Sequence, residues 1–389
     1  MFGLRMRRGA MALAAGVILG GILPLQGIGY AADKGLVDSA QPAQANHSST
    51  NIGNQNTSTT YTKVVLKANG VITGHEGLWI KGKTWVPITF LRDGLGLPLS
   101  YNKETRTYSV GQGYRQLNIA VSEYGESVDM NGFYLKDSGC IIDGHLYIPF
   151  QVVKNYLGYQ GDWSLAAKKL NVLSVKENAL GINVKTFDQE GDQASIHLKY
   201  PEVTGIDNDE VEKAINEVLR SDVDQFREEI EKSLRERTED SQSQGKNKIS
   251  IDYQYSSSFI VTYNKDGILS LLTQQYVYTG GAHGMPYRKA YTFSLSDGSQ
   301  MSLEDLFGPG EHDISPLNEQ IKADFLKLPD YFGGFVALGS QPDFYLQQGE
   351  EALKVFFQVY EYTPYAAGFP EFPFSLKAVF PKKIAYLVI

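Results

Sequence analysis

The sequence predicts an α+β protein in which a β-rich tandem-repeat domain precedes an α+β module with an antiparallel sheet and helices. One observation is an internal repeat with an offset of 62 residues between positions 61 and 176. The other is a change, after Ile182, to alternating strands followed by one long amphipathic helix. At 389 residues the chain is too long for a single compact core, so several domains are expected.

The repeat aligns without a gap. Its matched pairs are Asn69-Gly70 with Asn131-Gly132, Gly82 with Gly144, Pro87 with Pro149, and Leu95-Gly96 with Leu157-Gly158. Asn-Gly favours a two-residue hairpin turn, and each proline precedes a short helical stretch. Gly96 and Gly158 are predicted to cap these helices at their C-termini. Each unit is therefore predicted to be small strands with one short helix.

The C-terminal half begins with two predicted strands, 182–187 and 194–200, the second ended by Pro201. Asp207 is predicted to open a helix whose apolar stripe continues to Leu234. The polar residues 241–248 are predicted to form a loop, and strands are predicted again at 249–255, 259–263 and 268–278.

The N-terminus has the layout of a secretory signal. Basic residues at 5, 7 and 8 precede an apolar run from Ala10 to about Leu25, and small residues lead to Ala31. We expect residues 1–31 to be a signal peptide and the polar residues 32–60 to be a disordered linker. The protein would then be secreted or held at the cell surface. An uncleaved membrane anchor is the alternative, because the apolar run is of borderline length for spanning a bilayer.

Composition excludes several functions. With 36 basic and 44 acidic side chains the net charge is −8, which argues against nucleic-acid binding. Cys140 is the only cysteine, so neither an internal disulfide nor a cysteine-based metal site is possible, and we expect it to be a small core residue. The sequence contains no HxH, HExxH or Gly-x-Ser-x-Gly motif. We assign no catalytic residue, metal ligand or cofactor.

The repeat pattern, with its Asn-Gly turns and its helices ending in Leu-Gly, resembles the copper amine oxidase N-terminal-like domain of exported bacterial proteins. The resemblance covers about residues 61–176. It implies the fold and an envelope location but no copper chemistry, because the pattern brings no histidine pair together. His75 and His145 are expected to be surface loop residues.

Two further motifs, Gly280-Gly281-Ala282-His283-Gly284 and Pro364-Tyr365-Ala366-Ala367-Gly368, carry a second resemblance. Residues 182–380 are similar to the paired extracytoplasmic domains of the lysozyme-responsive anti-sigma-V factor, which also accompany peptidoglycan deacetylase C. The expected division is an α+β domain at 180–265 and an anti-sigma-V-like domain at 266–389. In the anti-sigma family this region binds lysozyme, which implies a protein-binding module.

Loops rich in tyrosine and glycine are typical of protein-binding surfaces. We therefore expect a partner site in the two motifs, made by Tyr278, Gly280, Gly281, His283, Gly284, Tyr362, Tyr365 and Gly368. The alternative for the glycines is that they only shape tight turns.

The expected function is that of an exported, non-catalytic envelope protein that binds a lysozyme-type muramidase or an anionic cell-wall polymer. Residues 177–389 carry 19 basic and 33 acidic side chains, a net charge of −14 that favours a cationic partner. Residues 61–176 carry 13 basic and 9 acidic side chains, a net charge of +4 that favours an anionic polymer. The alternative function is a peptidoglycan-active hydrolase or deacetylase accessory with an unrecognised carboxylate site. Nucleic acid is not an expected partner, and a membrane contact is expected only through an uncleaved N-terminal signal.

Overall fold

A computed structural model of the protein describes residues 60–164, 166–244, 252–307 and 313–379. The expected signal peptide, 1–31, and the linker up to residue 59 lie outside the described residues. Within the described ranges the protein is α+β, and a β-rich N-terminal region precedes a module of antiparallel strands and helices. The predicted fold class is confirmed.

The repeat domain follows the predicted order of elements. These are β1 (Thr62–Ala68), β2 (Val71–Ile80), β3 (Lys83–Pro87), α1 (Ile88–Asp93), β4 (Leu99–Asn102), β5 (Thr107–Val110), β6 (Leu117–Ser122), β7 (Gly125–Met130), β8 (Phe133–Tyr134), β9 (Cys140–Ile142), β10 (His145–Pro149), α2 (Phe150–Tyr156), β11 (Tyr159–Ser164) and β12 (Lys169–Ser174). Gly96 and Gly158 follow the two helices with φ of +72° and +77°, the left-handed conformation that suits glycine at a helix end.

The two repeats exchange their closing hairpins. One sheet has the order β11-β12-β1-β2-β3-β10-β9, so the hairpin that ends the second repeat extends the first strands of the first repeat. The other sheet has the order β4-β5-β6-β7-β8, in which the closing hairpin of the first repeat joins strands of the second. Neither repeat therefore has a complete sheet of its own.

The C-terminal half contains two sheets. Its elements are β13 (Gly181–Glu190), β14 (Ala194–Thr204), α3 (Asp209–Gln244), β15 (Tyr253–Lys265), β16 (Ile268–Tyr278), β17 (Met285–Ser294), α4 (Leu303–Phe307), α5 (Ser315–Phe325), β18 (Phe344–Gln347), β19 (Ala352–Phe356), β20 (Glu371–Ser375) and α6 (Leu376–Val379). The five-stranded sheet has the order β13-β14-β15-β16-β17 and is antiparallel except where β14 meets β15. The strands β18, β19 and β20 form a separate three-stranded antiparallel sheet.

The five-stranded sheet is covered on both faces. Because side chains alternate along a strand, Phe259 and Leu271 lie in a core with the α3 residues Ile215 and Leu219, while Ile260 and Leu272 belong to the core of the repeat domain. That second core also takes Tyr345 of β18, Phe356 of β19, and Val359 and Phe369 from the segment between β19 and β20. The repeat domain and the C-terminal half thus share one hydrophobic core.

A largely buried ion pair, joined from the surface by a half-exposed lysine, lies beside this shared core. Arg288 of β17 donates to Glu371 of β20 at 2.8 Å, and Lys136 of the repeat domain lies 3.0 Å from the other carboxylate oxygen of Glu371. The guanidinium of Arg288 also lies 4.0 Å from the ring centroid of Phe369 and 5.1 Å from that of Phe133. Burial by itself would raise the pKa of Glu371, but Lys136 and Arg288 lower it to about 2.

The structure differs from the sequence-based prediction around α3. The strand β14 passes through Pro201 to Thr204, because β14 pairs with β15 only as far as Leu198 and the missing N–H of Pro201 is needed by no neighbour. The helix is capped by Asn208, whose Oδ1 accepts from the N–H of Glu210 at 3.0 Å, so the prediction that Asp207 opens the helix is wrong.

Two predicted boundaries are also absent. The helix α3 continues through Gln244, so the predicted loop at 241–248 is wrong in its described first half. The residues after Leu234 carry no apolar stripe, although the Arg, Glu and Gln residues among them have good helix propensity. A prediction based on the stripe alone therefore ended the helix too early. The expected domain division at 265–266 falls in the turn between β15 and β16, and the sheet continues across it to Ser294.

We predict that Glu371→Gln destabilises the whole protein by about 3–5 kcal/mol, because it leaves the buried guanidinium of Arg288 without its carboxylate. Equilibrium denaturation in urea measures this change. Glu231→Gln, which removes only the exposed ion pair with Arg235, is the control and should change stability by less than about 0.5 kcal/mol.

The effect of this substitution on stability should depend on pH. The pKa of Glu371 is lowered from 4.5 to about 2 in the folded protein, so its stabilising contribution is complete above pH 4.5. The difference in stability between the wild type and Glu371→Gln should therefore shrink as pH falls from 4.5 towards 2. A difference that stays constant across this range would show that the charge of Glu371 is not what stabilises the fold.

Candidate functional site

The two predicted motifs meet in space. The loop between β16 and β17 carries His283, whose ring stacks on that of Tyr365 with centroids 3.8 Å apart and an interplanar angle of 20°. Tyr360 lies on the other motif, 6.4 Å from His283 and 5.7 Å from Tyr365 between ring centroids. We call His283, Tyr360 and Tyr365 the aromatic cluster.

Hydrogen bonds fix the orientation of the histidine. Its Nδ1 lies 2.9 Å from the carbonyl oxygen of Gly284, which can only accept, so Nδ1 carries the hydrogen. In the neutral ring Nε2 is then an acceptor, and the hydroxyl of Tyr360 lies 3.3 Å from it. Burial raises the pKa of Tyr365, and the neighbouring Tyr276 and Tyr360 raise it further. The hydroxyl of Tyr365 therefore stays neutral near pH 7.

Tyr360 has an unusual backbone. Its φ is +67°, and within the described residues it is the only aromatic with a positive φ. A bulky side chain in the left-handed region is strained and persists only where the surroundings impose it. The residue is nevertheless 48% exposed. A strained backbone thus coincides with an aromatic residue at the surface.

The glycines shape this loop for different reasons. Gly280 and Gly281 have φ of +104° and +99°, and the hydroxyl of Tyr278 donates to the carbonyl of Gly281 at 3.3 Å. At Gly284 a Cβ would overlap the ring of Tyr276, which packs directly on its backbone. Gly368 has a φ of +68° at the end of a short 3₁₀ turn, Tyr365–Ala367. Every predicted glycine therefore has a conformational or steric reason.

The structure does not bring Tyr362 to the aromatic cluster. Its ring packs against Phe325 at 5.1 Å and Phe357 at 5.0 Å, in the core between α5 and the three-stranded sheet. Tyr360, which the sequence-based residue set omits, takes the place expected of Tyr362. Residues 357–370 lie in no strand, so alternation could not tell which tyrosine points outward.

The cysteine, a histidine and the acidic side chains outside the aromatic cluster show how far other site chemistries are supported. Cys140 is buried as expected, and burial together with Glu126 raises the pKa of its thiol to about 12. His75 lies in β2, not in a loop, and its Nε2 is 3.1 Å from Asp93. In the described ranges no three His, Cys, Asp or Glu side chains are grouped so that they could hold a metal ion. No helix in those ranges is both long enough and apolar enough to cross a membrane.

Three segments of the chain match family models. Residues 62–172 match the copper amine oxidase N-terminal domain, which confirms the first resemblance. Residues 188–286 match the model described as deacetylase PdaC, and residues 304–377 match DUF3298, a family of unknown function. The aromatic cluster thus draws His283 from one matched segment and the two tyrosines from another.

One curated relative is the peptidoglycan-N-acetylmuramic acid deacetylase PdaC of Bacillus subtilis (strain 168). It is 23% identical over 164 residues, which are 42% of this chain and 32% of the relative. The chain therefore spans about a third of the length of that relative.

Two solved structures of DUF3298 family proteins are also similar. One is from Bacteroides fragilis NCTC 9343, with a TM-score of 0.42, and one is from Pseudomonas aeruginosa PAO1, with a TM-score of 0.35. Each is 17% identical and covers 52% of this chain, and the matches take in 93% and 94% of those two chains.

We predict that Gly284→Ala displaces the loop that carries His283 and costs about 1–3 kcal/mol of stability, because the new methyl overlaps Tyr276. Thermal unfolding and the near-ultraviolet circular dichroism of the tyrosines measure the two effects. Gly74→Ala is the control, since Gly74 has open space around it and no positive φ. Equal changes in both variants would exclude a specific role for the Tyr276 contact.

Proposed function

We propose that this chain is a non-catalytic binding protein of the cell envelope and that the aromatic cluster is its partner-binding surface. The observation that carries the proposal is the exposed Tyr360, held in a strained conformation beside a His283 that stacks on Tyr365. Residues with a strained backbone conformation cluster at binding sites. A match to a wall-modifying relative over part of the chain supports an extracytoplasmic, cell-wall setting.

The proposed partner is a cationic protein, with a lysozyme-type muramidase as the first candidate. The aromatic cluster itself bears no carboxylate, so it would supply aromatic contact area rather than charge. The −14 net charge of residues 177–389 would accelerate the encounter with a basic protein. Tyrosine and histidine are side chains that gain contact area with little loss of rotamer entropy, and the exposed Met285 nearby adds apolar surface.

We expect lysozyme to bind the full chain in a calorimetric titration and Tyr360→Ala to weaken binding by about 10-fold or more, since it removes a central aromatic contact. Tyr365→Ala should have a similar effect because it releases His283. Higher salt should slow association while leaving the ranking of the variants unchanged.

Tyr101→Ala is the matched control, because Tyr101 is 50% exposed but lies in β4 of the repeat domain. The affinity of this variant for lysozyme should equal that of the wild type. Absence of heat at every salt concentration would remove lysozyme as the partner. Binding that Tyr360→Ala leaves intact would move the site elsewhere.

The proposed lack of catalysis has its own test. The purified chain should produce no lysis band on wall-containing gels and should release no acetate from wall fragments. A clear band or a steady release of acetate would support the alternative, a peptidoglycan-active hydrolase or deacetylase accessory. Glu371→Gln is not used to test for catalysis, because the carboxylate of Glu371 forms ion pairs with Arg288 and Lys136.

A further inference from the structure

A polar groove lies on the other face of the five-stranded sheet, away from the aromatic cluster. Its volume is about 430 Å³, and it runs between α3 and the edge strand β17. Glu217, Ser221 and Gln225 of α3 form one wall, and Lys289 and Tyr291 of β17 form the other. The volume is within the usual range for small-ligand sites.

The floor of the groove is a buried carboxylate, Asp222, with only 6% of its side chain exposed. One oxygen accepts from Lys289 at 2.5 Å and from Gln275 at 3.1 Å, and the other accepts from Thr273 at 3.0 Å. Tyr291 lies beside the same carboxylate. Three donors, two from β16 and one from β17, therefore hold Asp222 in one position.

Such a network contributes little net free energy to the packing of a helix on a sheet. A buried ion pair is seldom more stabilising than apolar side chains of the same size, because both charges lose their hydration. The network does, however, fix the position of Lys289, whose side chain is 32% exposed to the groove. Immobilised polar groups supported by further hydrogen bonds are the arrangement expected of a preorganised binding site.

The groove offers three kinds of contact side by side. Lys289 supplies hydrogen-bond donors, Glu217 supplies acceptors, and Ser221 and Gln225 supply both. The side chain of Val218 adds an apolar strip. Tyr287 lies two residues before Lys289, on the same face of β17, with 46% of its surface exposed. A flat aromatic beside mixed donors and acceptors suits a sugar ring, whose apolar face stacks while its hydroxyls hydrogen-bond.

We propose that the groove between α3 and β17 binds an oligosaccharide of N-acetylated amino sugars, with Tyr287 as the stacking platform and Lys289, Glu217 and Ser221 as hydrogen-bonding groups. The hydroxyls of such a ring use both donors and acceptors, and its acetamido methyl fits the strip at Val218. This site is independent of the aromatic cluster, which lies on the opposite face of the sheet.

The test is a calorimetric titration of the full chain with the tetramer of N-acetylglucosamine. The wild type should bind, and Tyr287→Ala should weaken binding at least about fivefold through loss of the stacking surface. Ser221→Trp fills the groove from an exposed helix position and should abolish binding. Neither substitution removes a member of the Asp222 network, and circular dichroism checks that each variant is folded.

Tyr101→Ala is the matched control and should bind the tetramer as the wild type does, since Tyr101 is equally exposed in a different domain. Tyr360→Ala separates the two sites, because it removes the proposed protein contact and leaves the groove intact. The proposal is overturned if the wild type does not bind the tetramer, or if Tyr287→Ala and Ser221→Trp both bind it with unchanged affinity.

Discussion

The ion pair of Arg288 with Glu371, which Lys136 joins from the surface, is the contact that ties three parts of the chain together. Each of its members comes from a different part of the chain: the repeat domain, the edge strand β17, and the three-stranded sheet. Because Arg288 and Glu371 are largely buried beside a shared apolar core, loss of either charge leaves the other buried and unpaired. The segments therefore behave as one folded body and not as separate modules joined by linkers.

This body gives the central sheet two faces with different environments. One face packs on the repeat domain, and at its open end the loop after β16 presents the aromatic cluster. The other face is covered by α3 only as far as β17, where the groove around Asp222 and Lys289 remains. The same strand β17 contributes Arg288 to the buried side and Lys289 to the groove, because successive side chains point to opposite faces. One strand thus links the stability of the domain junction to the position of both proposed sites.

Local features of this fold could be predicted from the sequence, whereas its long-range pairings could not. The Asn-Gly turns and the glycines after α1 and α2 follow from backbone preferences, and the repeat revealed the order of elements. The exchange of closing hairpins depends on pairing between β1 and β12, which are about 100 residues apart and leave no local signal. The contact of Asp222 with Lys289 likewise joins distant segments and leaves no local signal in the sequence. The two motifs did identify the region of the aromatic cluster, but in an irregular segment no periodicity distinguishes Tyr360 from the buried Tyr362.

Hydrogen–deuterium exchange of the full chain, with and without a saturating lysozyme-type partner, tests most directly whether the aromatic cluster is the surface at which a protein partner binds. We expect new protection in peptides covering residues 279–285 and 360–368, with exchange in α3 and in the repeat sheets unchanged. Protection that appears only elsewhere, while both of these segments exchange as in the free protein, would show that the aromatic cluster is not the binding surface.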